Sequence, residues 1–264
     1  MLCTIARDPS QRGRIGGVQP GAWHDGGVAR VASFHLVRWS SPLRAFIALG
    51  MQRITLKRID GLEFVRVLGT GRGSTTTSSI QPERTALFCV WRSDNDLRRF
   101  VDERFDDVGD SRSAREAWHV GLHAAGGHGS WRGRAVPELI EHAAPAAIDA
   151  GPLLVLTRAN VRLPAWRRFH RAGVGVDEQL QSAPGLRAVV GVGELPVGSL
   201  ATLSVWDSVE TMRKFAVRTE HHREVVARTR RENWYGEEMF ARFVPYWSAG
   251  TWDGRDPARN DAAS

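Results

Sequence analysis

At 264 residues, with 42% apolar residues and ten tryptophans, the chain can bury a substantial core, and its composition excludes general disorder. The formal charge of +7 rests almost wholly on arginine, Lys57 and Lys214 being the only lysines. No basic block alternates with aromatics as a single-strand-binding surface requires, so a nucleic-acid partner is not expected. Cys3 and Cys89 make neither a disulfide framework nor a metal motif, and Cys89, inside an apolar run, reads as a small buried hydrophobe. No apolar run reaches the length of a membrane-spanning helix, and the N-terminus lacks a signal-peptide core. A cytoplasmic protein is expected, with peripheral attachment to the inner face of a membrane left open because a basic chain is drawn to an acidic surface.

Residues 1–27, rich in Gly, Pro and Arg, read as a flexible tail. A strand is expected over 28–37, then a short helix after Pro42 with Leu43, Phe46 and Ile47 on one side. Residues 62–68 read as a strand leading into a glycine-rich turn, GTGRGS, over 69–74, followed by a polar loop. ALFCVW is the next strand, and residues 94–104 form a helix with Leu97, Phe100 and Val101 at helical spacing. Trp118 to His123 makes one more strand; His123 and His128 then flank glycines in a loop. Residues 124–150 connect to a second pass of the same order. GPLLVLTRANV is a strand, Pro164 to Arg171 a short helix, LRAVVGVGELP a strand and turn, and ATLSVW a strand. A long helix from about 208 and the strand EMFARFV complete it, leaving 248–264 as a C-terminal tail.

The two passes share landmarks. Trp91 and Trp206 each close an apolar run and are each followed nine residues later by a phenylalanine, Phe100 and Phe215. Glu116 and Glu237 open the next runs, and the WRGR tract at Trp131 matches the WDGR tract at Trp252. A period near 120 residues is too long for a solenoid and means a duplicated domain. Each copy is β-α-β-β-α-β, the ferredoxin-like order. The expected fold is therefore α+β: duplicated ferredoxin-like units, 28–123 and 151–247, forming a fused dimeric α/β-barrel. Tryptophans that recur in both copies belong to the scaffold.

Candidate chemistry lies where the copies differ. In the helix after Trp206, His222 stands seven residues beyond Phe215 and shares its face with Val226, whereas His221 points about 100° away. His222 is the better pocket-facing ligand; a histidine packed into the core is the competing reading. Arg72 in the GTGRGS turn can reach an anion, a role that VGVGELP in the second copy cannot repeat; a plain turn with an exposed arginine explains it equally. The tract from Asn233 to Glu238 occurs only in the second copy, where Trp234 and Tyr235 could wall an apolar cofactor or substrate and Arg242 could reach its anionic edge. His119 and His123, four apart on an extended segment, do not share the face that a zinc site on a helix would need. No Ser-His-Asp order or carboxylate pair stands out.

The blocks LGTGRGST (68–75), WHVGLHAAGGHGSWRG (118–133), GPLLVLTRANVR (151–162), GLRAVVGVGELP (185–196), SVWDSVETMRKFA (204–216) and ENWYGEEMFARF (232–243), in that order, together resemble the spheroidene monooxygenase family of acyclic carotenoid 2-ketolases. The resemblance implies a haem-associated monooxygenase that acts on a polyene with dioxygen as co-substrate. It also implies an external electron donor, and iron held by a helix histidine, for which His222 fits and His221 stays open. Arg72 becomes a candidate for orienting a haem propionate or polarising an oxygen intermediate. The long basic N-terminus, the TTTSSIQPE loop and His170 depart from the family pattern and widen the substrate to other apolar molecules. A haem-dependent dehydratase or isomerase, a non-catalytic barrel module, and a homodimer are the alternatives carried forward.

Overall fold

The computed structural model describes residues 29–73, 80–105, 114–165, 179–194, 199–218, 232 and 234–260. The first half comprises β1 (Val31–Trp39), α1 (Pro42–Thr55), β2 (Leu62–Gly71), β3 (Ile80–Trp91), α2 (Asp94–Arg99) and β4 (Ala114–Gly129). Two short helical turns, α3 (Val136–Leu139) and α4 (Pro145–Asp149), lead to β5 (Leu153–Val161), β6 (Leu186–Glu194), β7 (Ser199–Trp206), α5 (Val209–Arg218) and β8 (Tyr235–Gly250). Ser41 caps α1, its hydroxyl accepting from the Arg44 N–H with Pro42 in the first turn, and Ser93 caps α2 in the same way.

Every strand pair is antiparallel, and the eight close in the order β1-β3-β2-β6-β7-β5-β8-β4. Each half contributes one ferredoxin-like sheet, β4-β1-β3-β2 and β8-β5-β7-β6, and closure leaves no free sheet edge. One seam is long, β4 against β8 from Trp118–Gly250 to Gly129–Met239; the other is the short glycine-rich pairing of Gly69–Gly71 with Gly191–Gly193. GTGRGS is therefore strand as far as Gly71, because those residues are needed to close the barrel, and the turn begins at Arg72. For the same reason His123 and His128 lie within β4 and not in a loop.

The barrel interior is filled. Phe34, Phe64, Phe88, Trp118, Val120, Leu154, Leu156, Leu203 and Phe243 meet there, and each end is stoppered by a tryptophan from a turn after a long strand. Trp131 stacks on Phe88 with ring centroids 5.4 Å apart, and Trp252 tilts against Trp118 at 5.4 Å. A ring of this size lost from a packed core costs about 3–5 kcal/mol. The stoppers are anchored symmetrically across the halves. Glu237 accepts hydrogen bonds from the Gly133 N–H at 2.7 Å and the Ser130 hydroxyl at 2.8 Å. Glu116 accepts from the Gly254 N–H at 2.8 Å and the Thr251 hydroxyl at 2.9 Å. Burial opposes ionisation of Glu237, but the donors from Gly133, Ser130, Arg132 and Arg158 outweigh it and bring the carboxyl down to about 2. This explains why the Glu and Trp landmarks recur in both copies.

On the outer face of the first sheet, beneath α1 and α2, lies a second core of Val37, Trp39, Leu87, Trp91, Leu97, Phe100 and Phe105. It encloses a polar chain. The Trp91 indole N–H donates to Ser33 Oγ at 2.8 Å, Ser33 Oγ lies 2.7 Å from His35 Nε2, and His35 Nδ1 lies 2.9 Å from His119 Nδ1. With the Ser33 lone pair taken by Trp91, its hydroxyl is assigned as donor to His35, whose Nδ1–H then serves His119. Burial, reinforced by the His119 charge, holds His35 well below 6.5, so it is neutral in the fold. A depressed histidine stabilises the fold fully above 6.5, and that contribution is lost as the pH falls below 6.5 toward the folded value. His123, lowered mainly by burial, acts in the same direction, whereas Glu237 and Asp253 titrate in a lower window. The expected result is a melting temperature that drops as the pH falls from about 7 to 5.5. His35→Gln should be less stable near neutrality yet show a smaller drop; scanning calorimetry of both proteins checks this.

Candidate functional site

With the interior stoppered, room for a ligand has to be sought outside the sheets, and there the two halves differ. Val31 pairs with Trp91 in the first half as Leu153 pairs with Trp206 in the second, which fixes the equivalent positions. Where the first sheet carries His35, Val37, Trp39, Leu87 and Val67 on its outer face, the second carries Thr157, Ala159, Val161, Thr202 and Gly191. All five second-half residues are smaller. The result shows in burial: His35 is fully buried and Leu87 is 1% exposed, while Thr157, in mid-strand, is exposed. Behind this shelf the sheet packs well, with Leu153, Val155, Trp206, Val209, Met212 and Val244 forming a third core against the start of α5.

Arg242 stands next to the shelf, on β8. Its residue on β8 pairs with Val155 on β5, and its side chain reaches β4 at the bulge between Ala124 and Gly127. A Cβ at Gly126 would come within 2.9 Å of the Arg242 Nη2, so the glycine makes space for the guanidinium. The Arg242 Nε is buried without a hydrogen-bond partner. A buried donor left unpaired costs about 1–3 kcal/mol.

Trp234 closes the end of the shelf, 1% exposed against Ala159, Val161 and Ala165, its indole N–H donating to Glu232 at 2.9 Å. Tyr235 opens β8 opposite Val161, half-buried beside Trp234, and its carbonyl accepts from the Arg162 Nε at 3.2 Å. Arg72 is exposed at the end of β2; the turn is tied to the second half by the Gly191 N–H donating to the Gly73 carbonyl at 2.6 Å. Between β2 and β8 run β6, β7 and β5, so Arg72 and Arg242 are carried on strands four steps apart around the barrel. His222, His221 and His170 lie outside the described residues. The helix that would carry His222 begins as expected: α5 runs over Val209–Arg218, and Phe215 sits against Trp206 with centroids 5.3 Å apart. His35 is paired with His119 in the core of the other half.

The spacing of tryptophans and glutamates identifies the repeat but says nothing of this shelf; comparing side-chain volume between equivalent strand positions would have revealed it. Elsewhere, a groove lined by Arg38, Glu83, Arg115, Glu116 and Asp253 lies at the WDGR end of the barrel. Two of its carboxylates are already engaged, Asp253 with Arg84 at 2.5 Å and Glu116 with the turn backbone. Among the described residues no cluster of three His, Cys, Asp or Glu side chains could hold a metal ion.

The chain is 33% identical to spheroidene monooxygenase of Rubrivivax gelatinosus over 195 residues, 74% of this chain and 73% of the relative. It is 30% identical to spheroidene monooxygenase of Cereibacter sphaeroides over 196 residues, covering 59% of that relative. Residues 171–264 match a family described as a domain of unknown function (DUF3291). A crystal structure of aldoxime dehydratase aligns over 87% of this chain and 86% of its own with a TM-score of 0.58 at 10% identity. A second aldoxime dehydratase, in complex with butyraldoxime, aligns over 84% of this chain and 81% of its own at 0.53 and 11%. At such identities the structural likeness speaks for the fold alone. Sequence identity over three quarters of both chains carries the assignment: the protein belongs to the spheroidene monooxygenase family, within the monooxygenase-like oxidoreductases.

Proposed function

We propose that the protein is a haem-dependent monooxygenase acting on an apolar substrate of carotenoid type, with haem seated on the outer face of the second sheet. The observation that carries this reading is the difference in side-chain volume on the outer face of the second sheet: Thr157, Ala159 and Gly191 stand where the first half carries His35, Val37 and Val67, and on the neighbouring β8 the Arg242 Nε is buried without a partner. A face of small side chains with Trp234 and Tyr235 at its end suits a flat, largely apolar group with carboxylates at its rim. When bound, haem supplies oxygen activation with electrons from an external donor.

The protein's share of the chemistry is to hold and shield. His222 would hold the iron through a neutral imidazole nitrogen, its other ring nitrogen left for an acceptor that fixes the ring. Arg242 and Arg72 would be the partners for the haem carboxylates, a guanidinium offering two parallel donors. Trp234, Tyr235, Phe240 and Val155 keep water from the reacting carbon of a hydrophobic chain. Conversion of a methylene to a ketone takes two successive oxygen insertions. Each consumes dioxygen, two electrons and two protons and releases water; the geminal diol then loses a further water.

The test is to load the protein with haem, supply reductant and an acyclic carotenoid, and follow the product with and without dioxygen. Oxygen-dependent ketone is expected. Turnover that persists without oxygen or electrons would replace this reading by the dehydratase or isomerase one, and failure to bind haem would leave a non-catalytic barrel. Arg242→Ala should weaken haem retention about tenfold or more, the loss of a charged hydrogen bond being about 1.5–3 kcal/mol, whereas the exposed Arg115→Ala should not. Arg72→Ala is expected to fall between them. Retention equal to wild type in both Arg242→Ala and Arg72→Ala would assign these arginines to packing and to the turn.

A further inference from the structure

Helix α1 is built inside out. Its face toward the sheet carries Ala45, Ala48 and Gln52, all buried, while its large apolar residues point to solvent: Leu43 is 66% exposed, Phe46 72%, Ile47 43%, Met51 42% and Ile54 64%. Positions 43, 46, 47, 50, 51 and 54 follow the i, i+3, i+4, i+7, i+8, i+11 spacing of one continuous stripe, and Gly50 in its middle faces open space. A stripe this long and this apolar is uncommon on a protein with no partner. The sequence spacing predicts the stripe; that it faces outward is decided by the packing of the small residues against β2 and β3.

Its surroundings are cationic. From Val31 to Ile59 the chain contains no Asp or Glu, and Arg44 and Arg53 flank the stripe on either side, with exposed Lys57 and Arg58 at the C-terminal end of the helix. Asp60, the first carboxylate beyond, is turned to Arg92 at 3.3 Å. A second copy of the same helix would bring like charges together; an anionic lipid surface would meet the cations and take up the apolar residues at once. We propose that the outward face of α1 is a membrane-binding surface that lies in the headgroup region of anionic phospholipid, with Phe46, Ile47 and Ile54 inserted and Arg53, Lys57 and Arg58 at the phosphates. Among the described residues no helix is long and apolar enough to cross a membrane, so attachment would be in the plane of the interface.

The experiment is co-sedimentation of the full-length protein with vesicles of phosphatidylcholine alone and of phosphatidylcholine with phosphatidylglycerol, paired with light scattering to read oligomeric state. Wild type should bind the phosphatidylglycerol vesicles and release with salt. Phe46→Ser with Ile54→Ser should bind about tenfold more weakly or worse. Arg53→Glu with Lys57→Glu should lose about fivefold or more per residue. All four positions are exposed, so these variants should keep the wild-type melting temperature. Wild type that ignores anionic vesicles, or variants that bind as well as wild type, would overturn the proposal. So would a vesicle-free dimer that the Phe46→Ser, Ile54→Ser variant dissociates, since the stripe would then be an interface between copies. The readout does not involve haem, so vesicle binding by protein that takes up no haem would refute the reading above and leave this one standing.

Discussion

Thr157→Trp should weaken haem binding roughly ten- to a hundredfold while leaving the fold as stable as before. Thr157 is the exposed centre of the shelf, and its strand-mate in the first half, His35, shows that a large ring is accommodated at that register when nothing else has to fit. An aromatic residue suits a strand, and covering the apolar surface around Val155 and Phe240 offsets the added bulk. For a bound group of fixed shape the same indole is an overlap worth about 1–3 kcal/mol, or roughly ten- to a hundredfold in affinity. The measurement is haem titration followed by absorbance, beside urea unfolding of the haem-free protein. Unchanged affinity with an unchanged spectrum would place the cofactor away from this face.

His222→Ala should have the largest effect on chemistry: loss of the histidine-ligand signature in absorption and electron paramagnetic resonance, with oxygenase turnover reduced to background. His221→Ala should leave both intact, and imidazole added to His222→Ala should restore the spectrum in part, because a free imidazole can occupy the vacated coordination position. Phe215 is turned onto Trp206 on the outer face of the second sheet, and His222 follows it by seven residues, nearly two helical turns. A spectrum in His222→Ala that matches wild type would transfer the ligand to His221 or His170.

Much of this molecule is written locally. The duplication is legible because Trp91 and Trp206 each end a strand whose alternation is visible in ten residues, and because Ser41, Pro42 and Ser93 mark helix starts by hydrogen bonds made within one turn. The recurrence of Glu116 and Glu237 with WDGR and WRGR was readable as symmetric scaffold, although their task, holding a tryptophan stopper at each end of the barrel, emerges only when strands far apart in sequence are brought together. Family membership was likewise carried by ordered blocks of residues. Arg242 was a sensible candidate from its neighbours in the chain, yet its buried, unpaired Nε depends on the bulge in β4 and on the space left by Gly126.

What only the tertiary structure decided is which side of each element meets water. Periodicity puts Leu43, Phe46 and Ile47 on one face of a helix, but a face is core or surface according to what packs on the other side; here Ala45 and Ala48 sit closer to the sheet than the larger residues could. The glycines of GTGRGS have the composition of a turn, and they are strand because Gly191–Gly193, over a hundred residues away, offers the pairing that closes the barrel. The shelf itself is a difference in side-chain volume between residues that become equivalent only once register is set: His35 with Thr157, Val67 with Gly191. Local patterns specify elements and their repeats. Emptiness, burial and the outward face are properties of the assembled barrel, because each depends on contacts between segments the chain keeps far apart.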